Sequence, residues 1–178
     1  MIRLFIVISK FLNYLYGYEA VNLIFRVTPS RATISILKHF GADIGDSVTL
    51  QNPIVIHGAE SEPIYKNLRI GDNTYVGRNC FFDLTNTISI SQRVSISHGV
   101  VINTHTNAGK SELGKRILQN SSNGVYINKD AFIGINSVLL QGVNIGKRSV
   151  IGAFSLVMND IEDDVIASGN PCSIIKRN

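Results

Sequence analysis

Four histidines, His39, His57, His98 and His105, carry most of the proton-transfer chemistry open to this 178-residue chain. Imidazole, with an ordinary pKa of about 6.5, is the side chain suited to take up a proton near neutral pH. His105 stands apart by position. It directly precedes a polar stretch, Thr106 to Gly124, rich in Gly, Ser, Asn and Lys, and long loops in compact domains are usually functional or disordered. A single histidine taken alone is more often structural than catalytic. A zinc-hydroxide reaction of the carbonic anhydrase type would need three histidines around one ion with a position open for water. Here His98 and His105 are seven apart and His57 lies far upstream, so no metal site is expected. Cys80 and Cys172 are too few for a disulfide framework, which makes a reducing cytosol the simpler setting.

What must position these residues is a ladder. From Ile127 to Val157 an aliphatic residue recurs at every sixth place: Ile127, Ile133, Leu139, Ile145, Ile151, Val157. Neither a helix nor a half-buried strand has that period. Six-residue units belong to β-helices, in which each unit is one short strand plus a corner. The same unit recurs upstream as Ile44, Leu50, Ile56; as Ile70, Val76, Phe82; and as Ile90, Ile96, Ile102. A second column, four places after each rung, is small or β-branched (Val48, Ile54, Thr74, Cys80, Val94, Val100, Ala131, Ser137, Val143, Ser149, Ser155) and reads as the second inward position. Glycines one place after a rung (Gly45, Gly71, Gly77, Gly134, Gly146, Gly152) are candidate corners. Three units per turn give a three-sided parallel β-helix, an all-β solenoid of about five coils stacked at roughly 4.8 Å. Register slips at Glu62–Arg69 and Asn86–Ile88 mark loops leaving at corners. In this frame Asp83 and His105 fall on the third face of successive coils, which brings a carboxylate within reach of an acceptor hydroxyl or of the imidazole. His98 falls on the second face, pointing outward.

Residues 1–43 precede the ladder, and 44–178 form the solenoid with its tail. The net charge of +4 resides in residues 1–40, where Arg3, Lys10, Arg26, Arg31 and Lys38 face Glu19 alone; the remainder is neutral. No nucleic-acid partner is expected. Residues 1–18 are apolar and aromatic, too short and interrupted to span a bilayer, and without a small-residue cleavage site. They form either a helix packed on the solenoid or a subunit neighbour, or one lying at a membrane interface; packing is favoured. After Thr28-Pro29-Ser30, a short helix capped by Ser30 or Thr33 runs through His39 to Gly41 and lids the first coil.

The repeats, with ISISQRVSISHGVVINTH (88–105) and the closing ASGNPCSII, resemble the left-handed β-helix acyltransferases, over about Gly41 to Lys176. Within that family the resemblance is closest to bacterial sugar O-acetyltransferases of the galactoside and maltose type and of the capsule and lipopolysaccharide type. It implies a left-handed helix, a homotrimer and acetyl-CoA as co-substrate lying between subunits. It also implies a cytoplasmic place in polysaccharide biosynthesis, at the inner face of the membrane if residues 1–18 touch lipid. His105 matches the family's base, which deprotonates a sugar hydroxyl for direct attack on the thioester. Asp83 is the candidate acceptor contact. Gly134, Ile135, Gly152 and Ala153 fall where the family binds the pantetheine arm, with an oxyanion donor near Gly134 or Ile135. Lys176 and Arg177 suit the nucleotide phosphates, and Phe132 stands where relatives carry Trp. Many relatives have Asp just before the histidine, but here Thr104 stands there, so a backbone carbonyl is expected to hold Nδ1. The competing reading from a different class is a catalytically silent assembly module with the same repeat. A serine acetyltransferase would need a longer helical N-terminal part.

Overall fold

The computed structural model describes residues 2–59, 62–107, 109 and 111–177. Its centre is three sheets of very short parallel strands that wind around one axis. The first face stacks Asp43–Ile44, Leu68–Ile70, Ile88–Ile90, Val125–Ile127 and Asn144–Ile145. The second stacks Thr49–Leu50, Tyr75–Val76, Ser95–Ile96, Phe132–Ile133, Val150–Ile151 and Val165–Ser168; the third, Val55–His57, Phe81–Asp83, Val101–Ile102, Val138–Leu139 and Leu156–Val157. The register is that of the sixfold ladder: Ile70 pairs with Ile90, Ile133 with Ile96 and Ile151, and Leu139 with Ile102 and Val157.

The ladder folds this way because every rung can point into one dry axis. Ile96, Ile102, Ile133, Leu139, Ile145, Ile151 and Val157 are all fully buried, as are Cys80, Val94, Val100, Ser137 and Ser149 of the second column. Inward serines stay satisfied by bonding to backbone, Ser137 Oγ to Gly152 O at 2.9 Å and Ser149 Oγ to Glu162 O at 2.5 Å. Burial pushes the Cys80 thiol up to about 11, as befits an inert core residue.

The corners differ from the expected pattern. Glycines one place after a rung keep ordinary backbone angles; what they supply is closeness. A Cβ on Gly71 would stand 2.5 Å from the backbone nitrogen of Gln92, and one on Gly146 would stand 2.3 Å from the carbonyl carbon of Glu162. The bend itself lies three places after the rung, where Ser47, Asn73, Asn79, Arg93, Asp130, Asn136, Arg148 and Phe154 all have φ between 54° and 60° or at 63°. Gly99 and Gly142 occupy the same place in their units.

Three helices cover the first coil: α1 (Ile2–Tyr16), α2 (Tyr18–Ile24) and α3 (Ser30–His39). Helix α3 falls where the short helix was expected, but its capping is different. Pro29 is the N-cap residue, while Ser30 Oγ accepts from Leu50 N at 3.2 Å and Thr33 joins Thr28 and Asn52 in a buried network. These hydroxyls tie the helix to the open end of the solenoid. Asn22 of α2 does the same, donating Nδ2–H to the Ile56 carbonyl at 2.7 Å. At the other end Ser173–Arg177 turns back antiparallel on Val165–Ser168 and closes the second sheet.

Candidate active site

The corner between the third face and the next coil's first face receives all three insertions of the ladder, 58–67, 84–87 and 103–124. His105 stands at the root of the longest. There His105–Thr106 pairs antiparallel with Ser121–Ser122, and a short helix, α4 (Glu112–Ile117), lies in the excursion between them. The root is clamped from the coils on either side: Gln141 Nε2 donates to Thr106 Oγ1 and Ser121 Oγ, both at 2.8 Å, and Asn86 Nδ2 reaches Ser122 O at 3.1 Å. Asn103 Nδ2 donates to the His105 carbonyl at 2.9 Å. The backbone of the imidazole is thereby held on both sides.

Asp83 reaches that imidazole from the coil before. Its Oδ2 lies 2.6 Å from His105 Nδ1 and accepts from Thr104 N at 2.8 Å, while Oδ1 accepts from Thr85 N at 3.1 Å and Thr85 Oγ1 at 2.7 Å. Burial opposes ionisation, yet the hydrogen bonds from Thr85, His105 and Thr104 outweigh it and hold the carboxyl below its ordinary range. An ionised carboxylate can only accept, so Nδ1 of the imidazole carries hydrogen, and the neutral ring then has its lone pair on Nε2. The Asp83 side chain is 1% exposed and that of His105 27%. The carboxylate is therefore sealed behind the ring, and the ring meets solvent. This replaces the expected backbone carbonyl at Nδ1. It also sets Asp83 on the imidazole, away from an acceptor.

A cleft of about 280 Å³ opens over the ring, lined by Thr85, His105, Thr106, Asn107, Ser121 and Ser122 among others. His57 lies against the imidazole. It sits directly below Asp83 in the ladder, is exposed, and stacks on His105 with centroids 5.8 Å apart and planes 24° apart. Gly58 follows with φ 71°, and a Cβ there would come within 2.3 Å of Thr85 Oγ1 and 3.0 Å of Asp83 Oδ1. His57, Gly58, Thr85 and Gln141 escape a reading by spacing because loops of unequal length separate them in sequence. The one available signal is that His57 and Asp83 each directly follow a rung, Ile56 and Phe82.

The remaining candidates lie elsewhere on the chain. His98 is half-buried at the second corner, its Nδ1 accepting from Arg78 N at 3.2 Å. Gly134, Ile135, Gly152 and Ala153 also sit at that corner, between second and third faces, on a different edge of the prism from His105. A Cβ on Gly134 would meet Ala153 N at 2.6 Å. The Gly134 N–H is committed to Ile151 O at 2.8 Å, so of the two amides considered for an oxyanion Ile135 remains. Phe132 is partly exposed on the second face. Lys176 is exposed, and Arg177 is paired with Glu162. A larger open groove of about 500 Å³, lined by Asp43, Arg69, Asp72 and Lys129 among others, runs along the first corner, remote from the imidazole. Among the described residues no group of three His, Cys, Asp or Glu side chains is arranged to hold a metal ion.

The bacterial transferase hexapeptide (six repeats) family model matches residues 124–159. The chain is 32% identical over 151 residues to a galactoside O-acetyltransferase of Lactococcus lactis subsp. lactis, covering 85% of this chain and 70% of that protein. It belongs to the hexapeptide-repeat acetyltransferases. The galactoside O-acetyltransferase of Escherichia coli is 30% identical over 142 residues, covering 80% of this chain and 66% of that protein. Two solved structures share 25% of the sequence: a hexapeptide-repeat acetyltransferase of Vibrio cholerae O1 biovar eltor complexed with acetyl coenzyme A, and a galactoside acetyltransferase in complex with coenzyme A. The first has TM-score 0.75 and covers 88% of this chain and 82% of its own; the second has TM-score 0.74 and covers 99% and 82%.

Proposed function

We propose that this acetyltransferase moves an acetyl group from acetyl-CoA to a hydroxyl of a sugar or glycan, with His105 as general base. The observation that carries the reading is the 2.6 Å contact between Asp83 Oδ2 and His105 Nδ1, which fixes the tautomer with Nε2 as acceptor toward the cleft. An alcohol is a poor nucleophile until its proton is leaving. As Nε2 takes that proton, the alcohol oxygen attacks the thioester carbonyl carbon, and Asp83 stabilises the imidazolium. Collapse of the tetrahedral intermediate breaks the carbon–sulfur bond, and the imidazolium returns the proton to the departing thiolate. The Ile135 amide is the donor suited to the oxyanion.

The placement of the donor-side residues supports a site shared between copies. Gly134, Gly152 and Ala153 line one edge and His105 another, so a groove between two subunits of a homotrimer, wound left-handed as in the family, would bring them together. Lys176 lies on the closing strand and suits the nucleotide phosphates; Arg177 would have to leave Glu162 to join it. Residues 1–43 then act as a lid and 44–178 as the transferase domain. A cytoplasmic role in glycan modification follows from this reading.

The experiment is acetyl transfer measured on a panel of free sugars, nucleotide sugars and lipid-linked oligosaccharides, with acetyl-CoA binding followed by calorimetry. Transfer to at least one sugar hydroxyl is expected. A chain that binds no acetyl-CoA and forms the same oligomer would be a silent assembly module instead.

A further inference from the structure

Helix α1 has two unlike faces. Phe5, Ile6, Ser9, Leu12 and Asn13 turn toward the protein, with Ser9 fully buried and its hydroxyl bonded to Phe5 O at 2.6 Å. The opposite face carries Leu4, Val7, Ile8, Phe11 and Leu15, spaced as one helical stripe and all at least 38% exposed, with Tyr14 beside them at 84%. Arg3 and Lys10, both exposed, lie along one border of that stripe. Between α1 and α2 an apolar groove of about 520 Å³ is lined by Leu12, Tyr16, Ala20 and Leu23, with Glu19 at its side.

Large apolar side chains in one contiguous exposed patch mark an interaction surface. Fifteen residues rise about 22 Å, and among the described residues no helix is long and apolar enough to cross a membrane. Charge decides between the remaining occupants. Residues 1–40 hold five basic side chains and one acidic one. A second copy docked on this stripe would bring basic against basic, whereas an anionic lipid surface supplies the missing charge together with an apolar layer for the stripe.

We propose that α1 lies in the plane of an anionic bilayer surface, with Leu4, Val7, Ile8, Phe11 and Leu15 in the acyl boundary and Arg3 and Lys10 at the headgroups. This docking does not depend on the acetyl-transfer reading. Asn22 of α2 anchors the helical layer to the strand that ends in His57.

The test is co-sedimentation of the full chain with vesicles of equimolar phosphatidylcholine and phosphatidylglycerol, against phosphatidylcholine alone. The chain is expected to bind the anionic vesicles, less so at high salt. The double change Val7→Asp, Phe11→Asp should abolish binding. Arg3→Gln with Lys10→Gln, both on exposed positions, should weaken it about thirtyfold. An unchanged circular-dichroism spectrum and melting temperature verify the fold of each variant. Absence of vesicle binding by the unaltered chain, or binding indifferent to both double variants, overturns the proposal. So does dissociation of the oligomer by Val7→Asp, Phe11→Asp in light scattering, which would assign the stripe to a second copy.

Discussion

Asp83 is ionised inside the prism wall because donors surround it, and two consequences follow from that one residue. Replacing it with asparagine keeps the shape but turns an N–H toward the Thr85 or Thr104 donors and releases the imidazole tautomer. Asp83→Asn is therefore expected to lower kcat by about 10²- to 10⁴-fold with little change in acetyl-CoA affinity, read by steady-state kinetics. The second consequence concerns acid. The folded carboxyl titrates below its unfolded value of about 3.9, so its stabilising contribution is complete above that pH and is lost as pH falls through the lower, folded value. Denaturant unfolding followed through the acid range should show a shallower loss in Asp83→Asn than in the native chain. His57, which meets the imidazole through ring stacking alone and also stacks on Phe81, should matter less: His57→Ala is expected to reduce kcat/KM by roughly tenfold or less, the scale of one aromatic contact. Asp83 was legible in the sequence as a third-face residue, whereas His105, expected on that face one coil later, stands at the corner beyond it, paired antiparallel with Ser122. Which of them bonds the other was not legible, since an Asp directly before the histidine is absent and the partner comes from a different coil, lined up only once the two-residue slip near Asn86 is absorbed at the corner.

At the scale of the element, the corners obey two separate rules. The glycine after a rung is required by backbone in the next coil, and the residue three places after a rung is required to bend left-handed. Gly71→Ala should then cost about 1–3 kcal/mol of unfolding free energy, because its Cβ would press on the Gln92 backbone. Gly142→Asn, at a left-handed position with only ordinary contacts, should change stability by less than about 1 kcal/mol. Denaturant titration of the two variants separates the rules. Hydrophobic period six exposed the rungs because burial leaves a chemical mark on side-chain type. The bending place stayed hidden because Asn, Asp, Ser, Arg, Phe and Gly all fill it, and their shared property is a backbone angle. The N-terminal helix was legible as a helix, but its outward apolar stripe was not, since Leu4 and Leu12 look alike in sequence and differ only in what they face.

For the whole molecule, the proposed function distributes the chemistry over separate edges of the prism. The imidazole stands at the third corner, and the small residues assigned to the pantetheine arm stand at the second, so one chain is read as half of each site. Oligomers mixed from His105→Ala chains and Ala153→Trp chains should recover part of the activity that each lacks alone; complete inactivity of the mixture would place both groups in one subunit's site. The most direct measurement is acetyl transfer by His105→Ala at saturating acetyl-CoA and acceptor, with oligomer size and acetyl-CoA affinity checked in the same preparation. The account predicts a loss of about 10²- to 10⁴-fold in kcat with assembly and donor binding unchanged. Retention of most of the activity would contradict it.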